Sequence, residues 1–351
     1  MPNQANNAYP DPRGGGRAPG VTPRRTASRG VAALAVLALI GGGVYVGVSR
    51  CSGGTAAPTA TPPPTTSATA AGPSPLTGAG TAGRVLAVKI DNVGVAQRQQ
   101  TGLNGADLVY VIEVEGGLSR YLVVYDSAHA PARVGPVRSA RQSDIPLLAA
   151  FGRVGLAYTG AISGLLPDLA SADLQNITPG NAARLFSNGG SSPTYISPAQ
   201  VFAAYPNLAE AKDVGLRFGA TPAGGQAAAS VTASMPSASF TFTAAATRWL
   251  VSVDGHSATT TDQGRTSTDN VIVQHVRVVP GKYTDFNAGH PDNEVFSQTT
   301  GEGPAEFYRD GEVWHGHWSK AGDTAPTDYT VNGAPMPLRP GRTWIVLVGG
   351  G

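Results

Sequence analysis

The chain has 351 residues, which at ~100–200 residues per domain corresponds to about two folded domains. Charged residues make up only 14% of it, while glycine and proline contribute 46 and 28 residues, so we expect substantial linker; the single cysteine, Cys51, excludes a disulfide scaffold. The formal net charge of +2 combines an arginine-rich start with a folded part, residues 84–351, that has more acidic than basic residues. A folded part without a basic stripe argues against a nucleic-acid partner.

An apolar run near the N-terminus predicts a single transmembrane helix, residues 31–49. Residues 31–48 carry no charge, and five arginines precede them. Arginine-rich flanks stay in the cytoplasm, so the N-terminus is predicted to be cytoplasmic and the rest of the chain extracytoplasmic. Lipidation of Cys51 is the alternative anchor, but Arg50 stands where a lipobox has a small residue.

The composition divides the rest of the chain. Residues rich in threonine, proline, alanine and glycine follow the apolar run and cannot bury enough apolar surface to fold. A second low-complexity stretch lies near residue 230. The predicted organisation is a cytoplasmic basic tail (1–30), a transmembrane anchor (31–49), a disordered linker (50–83), an N-terminal domain (84–220), a linker (221–239) and a C-terminal domain (240–351).

The N-terminal domain is predicted to be α+β, with strands and short helices mixed along the chain. Two β-rich runs separated by Gly116 and Gly117 predict a hairpin. Serine precedes each of two helical patterns, as a capping residue would. The predicted elements are strands at 84–91, 107–115, 119–125 and 154–158 and helices at 143–150 and 197–204.

The C-terminal domain is predicted to be mostly β. Asp-Gly and Asn-Gly pairs between β-rich runs are the strongest short hairpin signals, and they occur at Asp254-Gly255, Asp310-Gly311 and Asn332-Gly333. Pro340-Gly341 marks a further turn. The predicted strands are 248–253, 270–279, 305–308, 313–318 and 343–348.

The most specific candidate for a binding site is the segment Gly135-Pro-Val-Arg-Ser-Ala-Arg141. Arg138 and Arg141 lie three residues apart in a loop that enters a helix. Two guanidinium groups at this spacing can converge on one phosphate or carboxylate, and the first amides of the helix would add to such an anion site. In the alternative, each arginine pairs with a carboxylate of the hairpin.

Carboxylates are concentrated in the same hairpin. Glu113, Glu115 and Asp107 have even spacing, which predicts one strand face. They can act as an acid/base pair, hold a metal with Asp91, or neutralise the arginines. Glu115 and Arg120 flank the glycine turn, a spacing that suits an ion pair across the two strands.

Standard catalytic motifs and cofactor-binding motifs are absent from the sequence, so no cofactor is predicted. His315 and His317 share a predicted strand face, but a zinc site needs at least one further ligand, and no metal is assigned.

The sequence resembles the YerB-like family of bacterial envelope lipoproteins over residues 84–351. The segments that carry the resemblance are Gly135-Pro-Val-Arg-Ser-Ala-Arg141, Ala106-Asp-Leu-Val-Tyr110, Val114-Glu-Gly-Gly-Leu-Ser-Arg120, Val88-Lys-Ile-Asp-Asn92, Asn270-Val-Ile-Val-Gln274, Gly301-Glu-Gly303, Asp310-Gly311, Trp318 and Pro340-Gly-Arg-Thr-Trp344. Membership implies a two-domain extracytoplasmic protein and no particular reaction.

We therefore predict a non-enzymatic binding or scaffold module in cell-envelope biogenesis, whose partner is a cell-wall component or an envelope protein. The alternative is a metal-assisted phosphotransferase, because the layout is also similar to that of the LytR-CpsA-Psr enzymes. That similarity implies arginines on a pyrophosphate, magnesium on Asp91 and Glu115 as a base. The candidate ligand-binding residues are Arg138, Arg141, Arg120, Glu115, Glu113, Asp91 and Asn92.

Overall fold

The computed structural model describes residues 72–187, 193–287 and 290–350, with side chains outside 285–292. The predicted tail 1–30, the predicted transmembrane segment 31–49 and most of the predicted linker 50–83 lie outside these residues. Within the described ranges, no helix has the length and apolar character needed to cross a membrane.

The elements of the N-terminal region mix short helices with strands. The strands are β1 (Val85–Asp91), β2 (Leu108–Glu113), β3 (Ser119–Asp126), β4 (Val154–Ala157), β5 (Leu174–Ile177), β6 (Phe186–Ser187), β7 (Tyr195–Ile196) and β8 (Arg217–Phe218). The helices are α1 (Asp144–Ala149), α2 (Leu166–Ser171), α3 (Pro179–Ala182) and α4 (Pro198–Ala204). Short 3₁₀ turns lie at Gly94–Arg98, Leu103–Gly105, Glu115–Gly117, Ser163–Leu165 and Ala183–Leu185.

The described residues beyond β8 form strands and no helix. These strands are β9 (Gln226–Ala227), β10 (Ser230–Met235), β11 (Ala238–Ala245), β12 (Arg248–Val253), β13 (His256–Ser257), β14 (Thr259–Thr260), β15 (Gly264–Arg265), β16 (Ser267–Thr268), β17 (Asn270–Asn287), β18 (His290–Gln298), β19 (Gly301–Arg309), β20 (Glu312–Lys320), β21 (Asp328–Val331), β22 (Ala334–Pro335), β23 (Pro337–Leu338) and β24 (Thr343–Gly349). The predicted fold class, a mixed α/β region followed by a mostly β region, is confirmed.

A central sheet joins the two regions. Its order is β22-β21-β20-β19-β17-β24-β2-β3-β1-β4-β5, with β18 beside β17 and β9 beside β20. Strand β24 lies parallel to both β17 and β2, so the end of the chain connects the two halves. The N-terminal and C-terminal regions therefore share one sheet.

The central sheet is covered on both faces, so its middle strands are apolar on both sides. On one face, Leu86, Val88 and Ile90 of β1 belong to the same core as Phe240 and Phe242 of a smaller sheet formed by β10-β11-β12-β13 with β16. On the other face, β1 packs with apolar residues of α1 and α2. The ends of β1, β2 and β3 meet at the hairpin turn, where the charged residues lie.

Most sequence-predicted elements are present. The strand at β1, the hairpin across Gly116-Gly117, both predicted helices and the five predicted strands of the second region are confirmed. The three Asp-Gly and Asn-Gly turns have positive φ at both residues, as tight hairpin turns need. Pro340-Gly341 instead connects β23 to β24, which do not pair with each other.

The two predicted linkers need correction. Residues 221–239 contain β9, β10 and the start of β11, because alternate residues such as Ala233 and Met235 are buried under the central sheet. Their alanine- and serine-rich composition hid this alternation. In the predicted disordered linker, the end of the segment packs onto the fold, since Leu76 is fully buried in the core.

Trp344 of β24 is a central packing contact between the sheets. Its ring is fully buried, with centroid distances of 5.3 Å to Tyr121 of β3 and 5.8 Å to Phe242 of β11. We expect Trp344→Ala to lower the free energy of unfolding by about 3–5 kcal/mol, because it leaves a large cavity. Chemical denaturation measures this, and Trp344→Phe should lose clearly less; equal losses would contradict the packing role.

Candidate functional site

The end of the β1–β3 pair places three charged side chains on one face of the central sheet. Asp91 lies directly opposite Arg120 in the antiparallel register. Lys89 precedes Asp91 by two residues and so shares its face. Lys89 is fully buried and Arg120 is 7% exposed. Cations buried to this degree need partners, so their contacts define the site.

The arginine segment crosses the end of β1. The backbone N–H of Asp91 donates to the Pro136 carbonyl, and that of Arg138 donates to the Lys89 carbonyl, both at 2.9 Å. Gly135 has a φ of +150°, and a Cβ there would lie 2.8 Å from the carbonyl oxygen of Thr194. The glycine at the start of the segment therefore allows the backbone to pass close to its neighbour.

Two guanidinium groups share Asp91. The Nη2 of Arg120 lies 3.6 Å from Oδ1 and the Nε of Arg138 lies 3.3 Å from Oδ2. Burial, and then the charge of Arg141, lowers the pKa of Arg120 to about 10. The side chain of Arg120 makes no hydrogen bond with any described residue, and its Nε is buried without a partner. One carboxylate thus faces two cations and satisfies neither with a close hydrogen bond.

Arg141 is engaged elsewhere. Its Nη2 donates to Oε2 of Glu115 at 2.6 Å, and its Nε lies 2.5 Å from Oε1. Arg138 and Arg141 therefore contact different carboxylates and do not converge on one anion. Arg120 pairs with Asp91 and not with Glu115, so the ion pair predicted across the hairpin is also wrong. The reason is that Glu115 lies in the 3₁₀ turn after β2, beyond the last paired residue.

A fully buried ion pair lies behind these residues. The Nζ of Lys89 donates to Oδ1 of Asp144 at 2.7 Å, and both side chains are 0% exposed. Burial lowers the pKa of Lys89, and Asp144 opposes that effect. The other oxygen of Asp144 accepts the backbone N–H of Arg141 at 2.7 Å. This contact fixes the start of α1 against β1.

Glu294 of β18 was not predicted as a site residue from the sequence. Its Oε1 accepts the backbone N–H of Gln142 at 2.7 Å, whereas its Oε2 is buried without a partner. Burial raises its pKa to about 7. The amides before α1 are thus taken by Asp144 and Glu294, so the expectation that they bind a ligand anion is wrong. No regular pattern marks Glu294 in the sequence.

Glu113, Asn92 and Asp107 occupy separate places. Glu113 ends β2, is 8% exposed and pairs with no described residue, and burial raises its pKa. Asn92 donates to Ser119 Oγ at 2.8 Å and accepts from Gln100 Nε2 at 3.0 Å, which is a structural role. Asp107 lies at the opposite end of β2, where it accepts from the backbone N–H of Asp126.

Two clefts flank the hairpin turn. The first, which we call the arginine cleft, has a volume of about 550 Å³ and contains Asp91 and Arg138. The hydroxyl-bearing residues Ser139, Thr159 and Thr194 also line it. The second, the acidic cleft, has a volume of about 860 Å³ and contains Glu113 and Glu294. Both volumes suit small-molecule ligands.

The histidine pair lines neither of these clefts. His315 and His317 of β20 are both exposed. Across the described ranges, no three His, Cys, Asp or Glu side chains are grouped to hold a metal ion.

Comparison with known families matches most of the described chain. The model described as "Protein of unknown function (DUF3048) N-terminal domain" matches residues 73–215, and the corresponding C-terminal domain model matches residues 229–345. The two matches lie on either side of β9 and include the arginine segment, the hairpin and the start of β24.

A curated protein and a solved structure are also similar to this chain. The chain is 38% identical over 86 residues to the Bacillus subtilis (strain 168) protein named "Putative lipoprotein YerB", a match that spans 23% of this chain and 25% of that protein. The crystal structure of the YerB protein from Bacillus subtilis has a TM-score of 0.63 and 21% identity, covering 79% of this chain and 96% of that one. The structural match shows a shared fold.

The buried ion pair generates a stability prediction. Asp144→Ala leaves the Lys89 ammonium buried and uncompensated, so the free energy of unfolding should fall by about 3–5 kcal/mol. Adding Lys89→Met to this variant removes the orphaned charge and should recover part of the loss. Urea denaturation of all three proteins measures both effects; a loss below ~1 kcal/mol for Asp144→Ala would contradict the assignment.

Glu294 generates a pH prediction. The pKa of the Glu294 carboxyl group is about 7 in the folded protein, above the ordinary value of ~4.3. Its ionisation therefore destabilises the fold as the pH rises between these two values. Glu294→Gln should therefore melt at the wild-type temperature near pH 4.5 and ~2–4 °C higher at pH 8. The exposed Glu302 supplies a control, because Glu302→Gln should show no such trend. A pH-independent difference for Glu294→Gln would refute the raised pKa.

Proposed function

Since the chain belongs to the YerB-like family defined by the DUF3048 N- and C-terminal domains, we propose that it is a membrane-tethered envelope protein that binds an anionic ligand in the arginine cleft. The tether we propose is the uncharged segment 31–49, with the N-terminus in the cytoplasm and the folded region outside. The name of the Bacillus subtilis relative, a lipoprotein, supports a membrane location. Lipidation at Cys51 is the alternative anchor.

The observation that carries the binding site is the unequal charge around Asp91. Arg120 and Arg138 both contact the Asp91 carboxylate. Arg141 instead pairs with Glu115, and Lys89 pairs with Asp144. The local sum is therefore one positive charge in excess. Arg138 lines the cleft and its side chain is 55% exposed, so an incoming phosphate or carboxylate group would gain charge-assisted hydrogen bonds from it.

The ligand class we propose is an anionic cell-wall component. Muropeptides carry a carboxylate and polyprenyl carriers carry a pyrophosphate. Both groups present anionic oxygens, which are the acceptors that the cleft would bind. Ser139, Thr159 and Thr194 offer hydroxyl donors beside Arg138. A ligand with several anionic oxygens can use these donors together with the guanidinium groups.

A metal-assisted phosphotransferase is the second candidate. One observation favours it, because Asp91, the residue to which that mechanism assigns magnesium, lies between the two arginines. The contacts of Glu115 favour simple binding, since the residue that would act as a base is held by Arg141 through both carboxylate oxygens. A transferase would have to break that ion pair first.

A thermal-shift titration of the full-length protein in a non-ionic detergent tests the proposal. The probes are inorganic pyrophosphate, a short-chain polyprenyl pyrophosphate and muropeptides, each with and without magnesium. A ligand at 100 times its Kd stabilises by about 2.7 kcal/mol, so the melting temperature should rise by several degrees. A shift that needs magnesium favours the transferase, and a shift without magnesium favours the binding module.

Matched arginine variants locate the site. Arg138→Ala should weaken binding by about tenfold or more, because a charge-assisted hydrogen bond is lost. Arg153→Ala is the control: Arg153 is 57% exposed and also makes one long ion pair, at 3.7 Å to Asp173. Equal affinity of both variants and the wild type for the probe would contradict the site, and so would the absence of a shift with every probe.

A further inference from the structure

The acidic cleft lies on the other side of the hairpin turn from Asp91 and is lined by residues of five strands. Its walls come from the end of β2, the turn between β10 and β11, the middle of the β17–β18 hairpin, and the end of β24. Its volume of about 860 Å³ lies near the upper end of the range for small-ligand pockets, ~300–1,000 Å³. The cleft therefore has room for a ligand the size of a short peptide.

Two carboxyl groups in this cleft lack partners. Glu294 is 1% exposed, and its Oε2 accepts no hydrogen bond. Glu113 is 8% exposed, and its carboxyl group makes no hydrogen bond or ion pair with any described residue. Buried carboxyl groups are ordinarily satisfied by donors of the same protein. The buried Oε2 of Glu294 has no such donor, and the unpaired Glu113 carboxyl group lines the same cleft, which indicates donors supplied by a ligand.

The charges that face Glu294 do not neutralise it. They come from Arg141 and Asp144 at the start of α1 and from Glu115 in the hairpin turn. Arg141 is already bound by Glu115 through two contacts, and Asp144 is bound by Lys89. Arg141 is therefore not free to neutralise Glu294, and burial is the main cause of the raised pKa of Glu294.

The rest of the lining distinguishes between classes of cation. Val278, Val279 and Pro280 of β17 present aliphatic surface beside the carboxyl groups. Calcium needs six to eight oxygen ligands, and the described residues contain no group of three metal-ligating side chains. An alkyl ammonium uses both parts of the cleft, because its charge can meet the carboxylates while its methylene stem packs on the aliphatic wall.

One cation at the edge of the cleft adds a further feature. Arg277 of β17 is exposed, lines the same cleft, and forms no ion pair with a described residue. A ligand with a carboxylate at a distance from its ammonium group would meet both signs of charge. A peptide satisfies this condition.

We propose that the acidic cleft is a second binding site, which takes a short peptide through a primary ammonium group held by Glu113 and Glu294. The two carboxylates accept the ammonium N–H donors, the aliphatic wall covers the stem, and Arg277 meets the carboxylate end. This site is independent of the arginine cleft, since none of the residues that carry it belongs to that cleft.

Isothermal titration calorimetry of the full-length protein in a non-ionic detergent tests this assignment. The probe is the tripeptide acetyl-Lys-Ala-Ala with a free carboxylate, and the comparison is the same peptide with its lysine Nε acetylated. The lysine peptide should bind at pH 8 and at least tenfold more weakly at pH 5.5, because Glu294 is protonated below about pH 7. The acetylated peptide should not bind measurably. No binding of the lysine peptide at millimolar concentration, or equal binding of both peptides, overturns the proposal.

Variants of the two carboxyl groups identify the site. Glu113→Gln and Glu294→Gln should each reduce the affinity for the lysine peptide at least tenfold at pH 8, while Glu302→Gln on the exposed face of β19 should leave it unchanged. Should one glutamine variant fail to fold, the other carries the test. Arg138→Ala should bind the lysine peptide as the wild type does, which separates this site from the arginine cleft. Unchanged affinity in a folded Glu113 or Glu294 variant would refute the assignment.

Discussion

The structure depends on the insertion of the last strand into the middle of the central sheet. β24 hydrogen-bonds to β2 on one side and to β17 on the other, so it joins the N-terminal and C-terminal regions through main-chain ladders. Trp344, at the start of this strand, packs on Tyr121 of the hairpin and on Phe242 of the smaller sheet. β24 therefore supports the hairpin that carries Glu113, Glu115 and Arg120, through its ladder with β2 and through the contact of Trp344 with Tyr121.

The pairing of charges at the hairpin turn determines what each cleft can bind. Lys89 with Asp144, and Arg141 with Glu115, neutralise each other where the sheet meets α1. The charges of the two clefts are unequal. Asp91 contacts two arginines on one side, while on the other side the carboxyl groups of Glu113 and Glu294 make no ion pair with a described residue. A single buried network thus separates a cleft with excess positive charge from a cleft with unpartnered carboxyl groups. Removal of one partner from a buried ion pair would therefore change the charge balance of both clefts.

The sequence predicts the strands and the charged cluster better than it predicts which charged residues form ion pairs with each other. Apolar runs and Asp-Gly turns mark the hairpins, because both signals are local. The partners of Arg138 and Arg141 depend instead on the register of β1 with β3 and on where the turn places Glu115, which are long-range properties. Glu294 is brought beside Gln142 from more than 150 positions away, and no spacing in the sequence announces such a contact. Strand β10 was hidden by small residues such as Ala233, whose burial against a larger sheet requires little hydrophobicity of their own.

The most direct measurement of the central claim, that a surplus guanidinium group faces the arginine cleft, is NMR of the arginine Nε–Hε resonances during titration with pyrophosphate. We predict that the resonance of Arg138, which lines the cleft, shifts saturably, and that the resonance of Arg120 follows it because both groups share Asp91. Arg141, bound through both oxygens of Glu115, should shift little. If the resonances of Arg120 and Arg138 stay unchanged while those of exposed arginines such as Arg153 shift, the surplus guanidinium group at the arginine cleft is contradicted.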